Sequence, residues 1–284
     1  MTTYNFVPAR NRKYGWIPDA PDARDKIFAA AIDKAALPDS VSLRDLCSAV
    51  EDQGELSSCV GNACAGMIEI LENKSGVKNT FTKTLTPWEI FLCKTGLKKS
   101  NCDGVYKYGF LDVSRLFIYF NARARDGREK FDNGTSMRSA LKEMAAKGYC
   151  WEKEWPYSWS KVNVRPTSMC YASAKDKIIT EYFSLSSTTS MMQCLADGYP
   201  FVIGLTIFSG IHGWKAKSTG VVDMPVPKEA SLGGHAVLCV GYDKKTERFL
   251  MKNSWGDTWG DKGYFTIPFE YVAGYGMDAW TVRK

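Results

Sequence analysis

Four residues have the types and surroundings that nucleophilic chemistry requires: Gln53, Cys59, His235 and Asn253. The first two lie in QGELSSCVGNACAG, the others in GGHAVLCVGYDKKTERFLMKNSWG. A thiol of ordinary acidity is mostly protonated at pH 7 and needs a base or a cation beside it. The chain offers two histidines. His212 falls in the glycine-flanked loop SGIHGWKAKSTG, where a surface position is expected, whereas His235 opens an apolar strand. An asparagine carbonyl that accepts from the imidazole fixes its ring and tautomer. A glutamine amide ahead of the thiol can join a backbone N–H in holding an oxyanion. The set fits acyl transfer to Cys59, with Trp255 shielding the His–Asn bond. Taken singly, each residue has a plainer reading: a buried cap cysteine, a structural strand histidine, an Asn-Ser turn, a core tryptophan.

The elements that must position these groups are legible. Val60, Ala63, Cys64, Met67, Ile68 and Leu71 recur with the spacing of one buried helix face, so a helix is expected over 59–73. Ser57 or Ser58 would cap it, and its N-terminal N–H groups would favour a thiolate at Cys59. Further helices are expected over Val113–Ala124 and Ser136–Lys147, the latter ended by Gly148. The second half reads as strands at Phe201–Phe208, His235–Tyr242, Phe249–Ser254 and Gly263–Ile267. A polar turn at Lys244–Arg248 would fold the middle two into a hairpin, bringing Asn253 back toward His235. Helices first and strands later predict an α+β fold with a helical lobe, a β-rich, barrel-like lobe and a cleft between them. Residues 1–37 form a polar, proline-punctuated extension, and a domain follows over 38–284, its lobes mainly 47–160 and 161–284.

Composition narrows the class. The 284 residues are 45% hydrophobic and 13% aromatic, enough for a large packed core. The net charge of +6 is spread in short pairs such as Lys98-Lys99, so no nucleic-acid partner is expected. No run reaches the length of a membrane helix, and the first residues lack the apolar stretch of a secretory leader. The expected location is the cytoplasm, or outside the cell by a route that reads other signals. Nine cysteines leave at least one unpaired or paired between chains. Buried reduced thiols are the expectation, with Cys64 and Cys239 in the core. Cys93 and Cys102, which bracket a polar loop, are candidates for a bridge. No histidine stands near them to complete a metal site, and no metal or cofactor is expected.

The two strings resemble the papain family of cysteine peptidases. The likeness rests on Gln, five residues and Cys, on Gly-His-Ala, and on Asn-Ser-Trp-Gly-x-x-Trp-Gly-x-x-Gly-Tyr at Asn253–Tyr264. LPDSVSLRDL resembles the start of the family's mature domain, and YGWIPDAPDARD is similar to leaderless bacterial members. The resemblance implies Cys59 as nucleophile, His235 as acid and base, Asn253 as orienter, and Gln53 with the Cys59 N–H as oxyanion donors. It implies a protein or peptide substrate lying against Asn133, Gly134, Thr135 and Met137 on one side and Gly234 and Ala236 on the other. Asp278 to Trp280 would line a further wall. It implies an endopeptidase, expected to be a monomer; residues 1–37, as a distinct polar extension, are expected on or near the cleft, controlling access. A thiol amidase, deamidase or acyl transferase with the same triad, or a non-catalytic binding module, are the alternatives. The chain departs from the pattern at Leu56-Ser57-Ser58-Cys59-Val60, where the usual Cys-Gly-Ser-Cys-Trp, and with it a structural bridge, is missing. Cys59 and His235 also stand farther apart than the family's roughly 130 to 150 residues, with the surplus placed in 73–110.

Overall fold

The computed structural model describes residues 13–29, 36–75, 81–82, 94–95, 105–106 and 111–284. Cys93, Cys102 and most of the 73–110 insertion lie outside the described residues. Strand β1 (Ser40–Ser42) precedes helix α1 (Cys59–Lys74), and a short pair, β2 (Phe81–Thr82) and β3 (Val105–Tyr106), comes from the insertion. Helices α2 (Arg115–Arg125) and α3 (Met137–Lys147) pack together and against α1. Both start where a serine accepts a backbone N–H of the first turn: Ser114 from Phe117, Ser136 from Ser139. The second helix begins later than its hydrophobic pattern suggests. Val113 donates to Glu69 and bridges to Trp151, which keeps it extended.

After helix α4 (Ser168–Ala174) the chain turns to β structure. The remaining elements are β4 (Glu181–Leu185), α5 (Thr188–Ala196), β5 (Phe201–Phe208), α6 (Trp214–Thr219), β6 (Ser231–Asp243), β7 (Arg248–Lys252), β8 (Tyr264–Pro268), α7 (Phe269–Tyr275) and β9 (Gly276–Arg283). They build a seven-stranded antiparallel sheet in the order β4-β9-β5-β6-β7-β8, with β1 alongside β6. The expected β6–β7 hairpin forms, closing between Asp243 and Arg248. Strand β7 stops at Lys252 rather than Ser254, because the Asn253 side chain accepts the Ser254 N–H at 2.9 Å and turns the chain. Helices on one side and the sheet on the other give the expected α+β architecture.

Helix α1 differs from its sequence reading. It is buried on every face from Cys59 to Glu72, not along one stripe, because it runs between the other helices and β6. Its two buried glutamates are satisfied: Glu69 by Val113 N–H and the Ser48 hydroxyl, Glu72 by the Tyr149 hydroxyl at 2.5 Å and the Lys284 ammonium. The seven cysteines among the described residues are buried and unbridged, Cys64 and Cys239 among them. No helix among the described residues is long and apolar enough to cross a membrane.

Candidate active site

Cys59 opens α1 and has no exposed surface. Ser58 holds the cap position, yet its side chain caps nothing. Its hydroxyl pairs with the Tyr157 hydroxyl at 2.5 Å and accepts from Asn62 Nδ2 at 3.1 Å. The residues ahead of the thiol are tied across to the loop before α3. Ser57 donates its N–H to Asp132 Oδ1 at 3.0 Å and its hydroxyl to the Asp132 carbonyl at 3.1 Å. Asp132 also accepts from the Tyr119 hydroxyl at 2.8 Å.

Across from Cys59, His235 sits on β6 opposite Leu205 of β5, fully buried. Its Nε2 meets Asn253 Oδ1 at 2.9 Å, so Nδ1 is the nitrogen turned away from the asparagine. Asn253 is held in turn by its own N–H on the Gly263 carbonyl at 3.0 Å. Trp255 stacks on the imidazole, with ring centres 4.8 Å apart at 28°, and is itself buried. Gln53 joins the two sides. Its Oε1 accepts the Ser254 hydroxyl at 2.7 Å, while Nε2 donates to the Leu56 carbonyl at 2.7 Å.

A strap of residues 13–29 runs through the space between these walls. Thr135 N–H donates to the Gly15 carbonyl at 2.9 Å and the Thr135 carbonyl accepts Ile17 N–H at 3.1 Å, so strap and wall pair in parallel. On the sheet side, Trp16 N–H donates to the Gly234 carbonyl at 3.1 Å. Gln53 Nε2 lies 3.3 Å from the Lys13 carbonyl. Tyr14 packs its ring 6.2 Å from His235 and 6.4 Å from Trp255, and its hydroxyl bonds His212 Nε2. Farther on, Asp19 accepts Trp280 Nε1–H at 3.0 Å and Arg138 N–H at 3.1 Å. Asp25 pairs with the Arg138 guanidinium at 2.5 Å. Lys26 and Phe28 bond Ser184 at the edge of β4.

The Cys59 thiol is pushed above its ordinary value by loss of water, while backbone N–H groups of Ala236, Gly15, Val60 and Cys59 itself pull it back. The helix-start effect expected from sequence is thus present and outweighed in this closed state. Gly134 and Thr135 meet the strap, and Gly234 and Ala236 line the opposite wall. Met137 is fully buried in the core that includes Trp16. Asn133 is exposed and offers its carbonyl to Arg128 at 3.5 Å, outside the strap's contacts.

Sequence reasoning missed His212. It is half-buried, not superficial, and stacks on Trp255 with ring centres 5.4 Å apart at 16°. Only the loop after β5 and the distant Tyr14 bring it there. It missed the seat of Trp16 as well, although an isolated glycine inside the strand FVIGLTIF signals a close approach.

Comparison with known proteins accords with this geometry. A family model described as papain family cysteine protease matches residues 127–279. The structure of xylellain, a cysteine protease from Xylella fastidiosa, is 32% identical, covering 96% of this chain and 97% of that one with a TM-score of 0.76. A peptidase-like protein of Acanthamoeba polyphaga mimivirus is 28% identical over 96% of this chain and 88% of its own length. The thiol protease aleurain of Arabidopsis thaliana is 26% identical over 83% of this chain, which spans only 57% of aleurain.

Proposed function

Because the chain belongs to the papain family of cysteine proteases, we propose that it is an endopeptidase in which residues 13–29 of the 1–37 extension close the cleft of a catalytic domain over 38–284. One observation carries the catalytic part: the buried His235–Asn253 bond, roofed by Trp255, on the wall facing the thiol at the start of α1. In this reading Nδ1 of His235 takes the Cys59 proton, and the thiolate attacks the peptide carbonyl. The oxyanion takes hydrogen bonds from the Cys59 N–H and Gln53 Nε2. His235 then protonates the departing amine, leaving an acyl-enzyme that water cleaves with His235 as base. Asn253 keeps the ring turned for both transfers, and Trp255 keeps water off their bond. The hydrolysed bond belongs to a protein or peptide laid along Gly134, Thr135 and Gly234, where the strap now lies.

The strap's direction supports closure without self-cleavage. The leaving amine must reach His235, so the leaving half of a substrate belongs on the Tyr14 side and the acyl half on the Trp16 side. A substrate therefore runs, N to C, from the Trp16 side to the Tyr14 side. Lys13 to Ile17 runs the opposite way and offers its peptide bonds backwards. The Lys13 carbonyl meanwhile occupies the Gln53 donor.

Full-length chains with Trp16 or with Trp16→Ala test this reading by alkylation of Cys59 and hydrolysis of a peptide pool. Truncating a buried tryptophan removes about 3 to 5 kcal/mol of packing. That loss raises both rates in Trp16→Ala by about 10²-fold or more. Equal alkylation in the two chains sinks the closure, and absence of hydrolysis from the opened chain sinks the peptidase.

A further inference from the structure

Three buried polar atoms near the reactive groups meet no partner among the described residues: Asn62 Oδ1, Arg115 Nε and Asn253 Nδ2. Each belongs to a residue no more than 6% exposed. The rest of each side chain is well held. Asn62 donates Nδ2 to the Ser58 carbonyl at 2.9 Å, and Arg115 pairs its two terminal nitrogens with Glu51 and Glu152. Asn253 Oδ1 faces His235 Nε2 and accepts the Ser254 N–H, each at 2.9 Å. These side chains are pinned along one edge and bare on the other. All three line one cavity between α1, α2, β6 and the end of β7, together with Glu51, Glu69 and Lys252. No residue of the strap lines it.

The free space is about 20 Å³, whereas a single water needs about 10 to 15 Å³ and roughly two to four polar partners. The bare atoms are two donors and one acceptor. An anion would meet Asn62 Oδ1 and two carboxylates, and a cation would meet both N–H donors and the Lys252 ammonium. Water alone serves donors and acceptor together, and buried groups of this kind are costly without such a partner.

We propose that this cavity binds one water, and that through it Arg115 and Asn62 act as positioning residues for the Asn253 amide. The inference rests on the peptidase reading above and adds to it how the asparagine keeps its orientation. A water has two hydrogens and two lone pairs. Asn62 Oδ1 takes one hydrogen and the Glu51 carboxylate the other, while Arg115 Nε–H donates to one lone pair. What remains toward Asn253 is the second lone pair, which accepts Nδ2–H and repels Oδ1. The amide therefore keeps its carbonyl toward His235. The neutral imidazole then carries its proton on Nε2 and leaves Nδ1 free for the thiol. A flipped amide would favour the opposite tautomer, which cannot take the Cys59 proton.

Two measurements test this without a substrate. A crystal structure of the unaltered full-length chain shows one ordered water within about 3.2 Å of Asn62 Oδ1, Arg115 Nε and Asn253 Nδ2. This decides the water whatever the folding of the variants. In the full-length Cys59→Ala chain, with isotopically labelled histidine and at a pH where His235 is neutral, ring-nitrogen resonances place the proton on Nε2. Arg115→Lys keeps a charge beside Glu51 and Glu152 but lacks Nε–H, and it brings in the Nδ1–H form. Glu152→Gln weakens the ion pair, spares Nε–H and leaves the tautomer as it was. In the opened Trp16→Ala chain, Arg115→Lys lowers kcat on a cleaved peptide about tenfold with KM unchanged. A cavity without that water, a tautomer or kcat untouched by Arg115→Lys, or an equal tautomer change in Glu152→Gln overturns the inference and leaves the peptidase standing. A chain that holds the water and the Nε2–H tautomer yet cleaves no peptide overturns the peptidase and leaves the water site standing.

Discussion

The two walls of the cleft hold their reactive groups by different means. On the sheet side, backbone register places them: His235 lies opposite Leu205, and Asn253 hangs by its N–H from Gly263. On the helical side, side chains largely do it. Asp132 grips Ser57, Tyr157 grips Ser58, and Ser254 and Leu56 fix the Gln53 amide. A ladder of backbone bonds survives most changes of side chain, whereas a side-chain tie vanishes with one substitution. The contrast accords with how the two motifs read. Asn-Ser-Trp-Gly matches its family cleanly, while the stretch before Cys59 has lost a bridge and relies on Asp132.

Substitutions on either wall sharpen or break this contrast, each made in the opened Trp16→Ala chain unless stated. His235→Ala has the largest effect, a loss of about 10²- to 10⁴-fold in kcat/KM, with the circular dichroism of the sheet retained. Unfolding of that variant would refute placement by register. Gln53→Ala costs about 10²- to 10³-fold in kcat, and an unchanged kcat removes it from the oxyanion site. Asp132→Ala costs about 2 to 3 kcal/mol in urea denaturation, since bonds to a charged acceptor are lost. Should Asp132→Ala prove as stable as its parent, the helical wall has another anchor.

The smallest effect is a pH dependence in the closed, Trp16-bearing chain. Burial lifts the Asp278 carboxyl from 3.8 to about 6, with Asp19 N–H and Arg138 opposing the shift. The folded chain therefore keeps this proton at pH values where the unfolded chain has released it. The contribution to stability falls as pH rises from about 4 to about 6 and stays low above that. Asp278→Asn lacks this loss, so its stability relative to the Asp278 chain grows across the same window. Parallel melting curves from pH 4 to 7 would contradict the burial of Asp278.

Much of the site was legible because its signals are local. The Cys59 helix follows from apolar spacing within sixteen residues. The His235–Asn253 approach follows from a hairpin whose turn is written as Asp243-Lys244-Lys245-Thr246-Glu247. Failures came where distant chain segments compete for the same group. Ser58 is a residue of capping type whose hydroxyl was taken by Tyr157, 99 positions away. Helix α1 carries the pattern of one buried face, yet neighbours cover it on all sides, so Glu69 and Glu72 needed partners that no local rule supplies.

The sequence by itself singled out Gln53, Cys59, His235 and Asn253 as the candidate set, because residue type, strand alternation and a short turn suffice to bring them to notice. Only the tertiary structure decided what now occupies the space between them. Lys13 to Ile17 reach the cleft through bonds to Thr135 and Gly234, more than a hundred residues away in the chain. Contacts of that range depend on where the whole sheet and α1 come to rest, and no periodicity in the strap encodes them. The same holds for the acidity of Cys59. A helix start favours the thiolate, but the burial that outweighs it is set by the packed fold, with Gly15 of the strap against the sulfur.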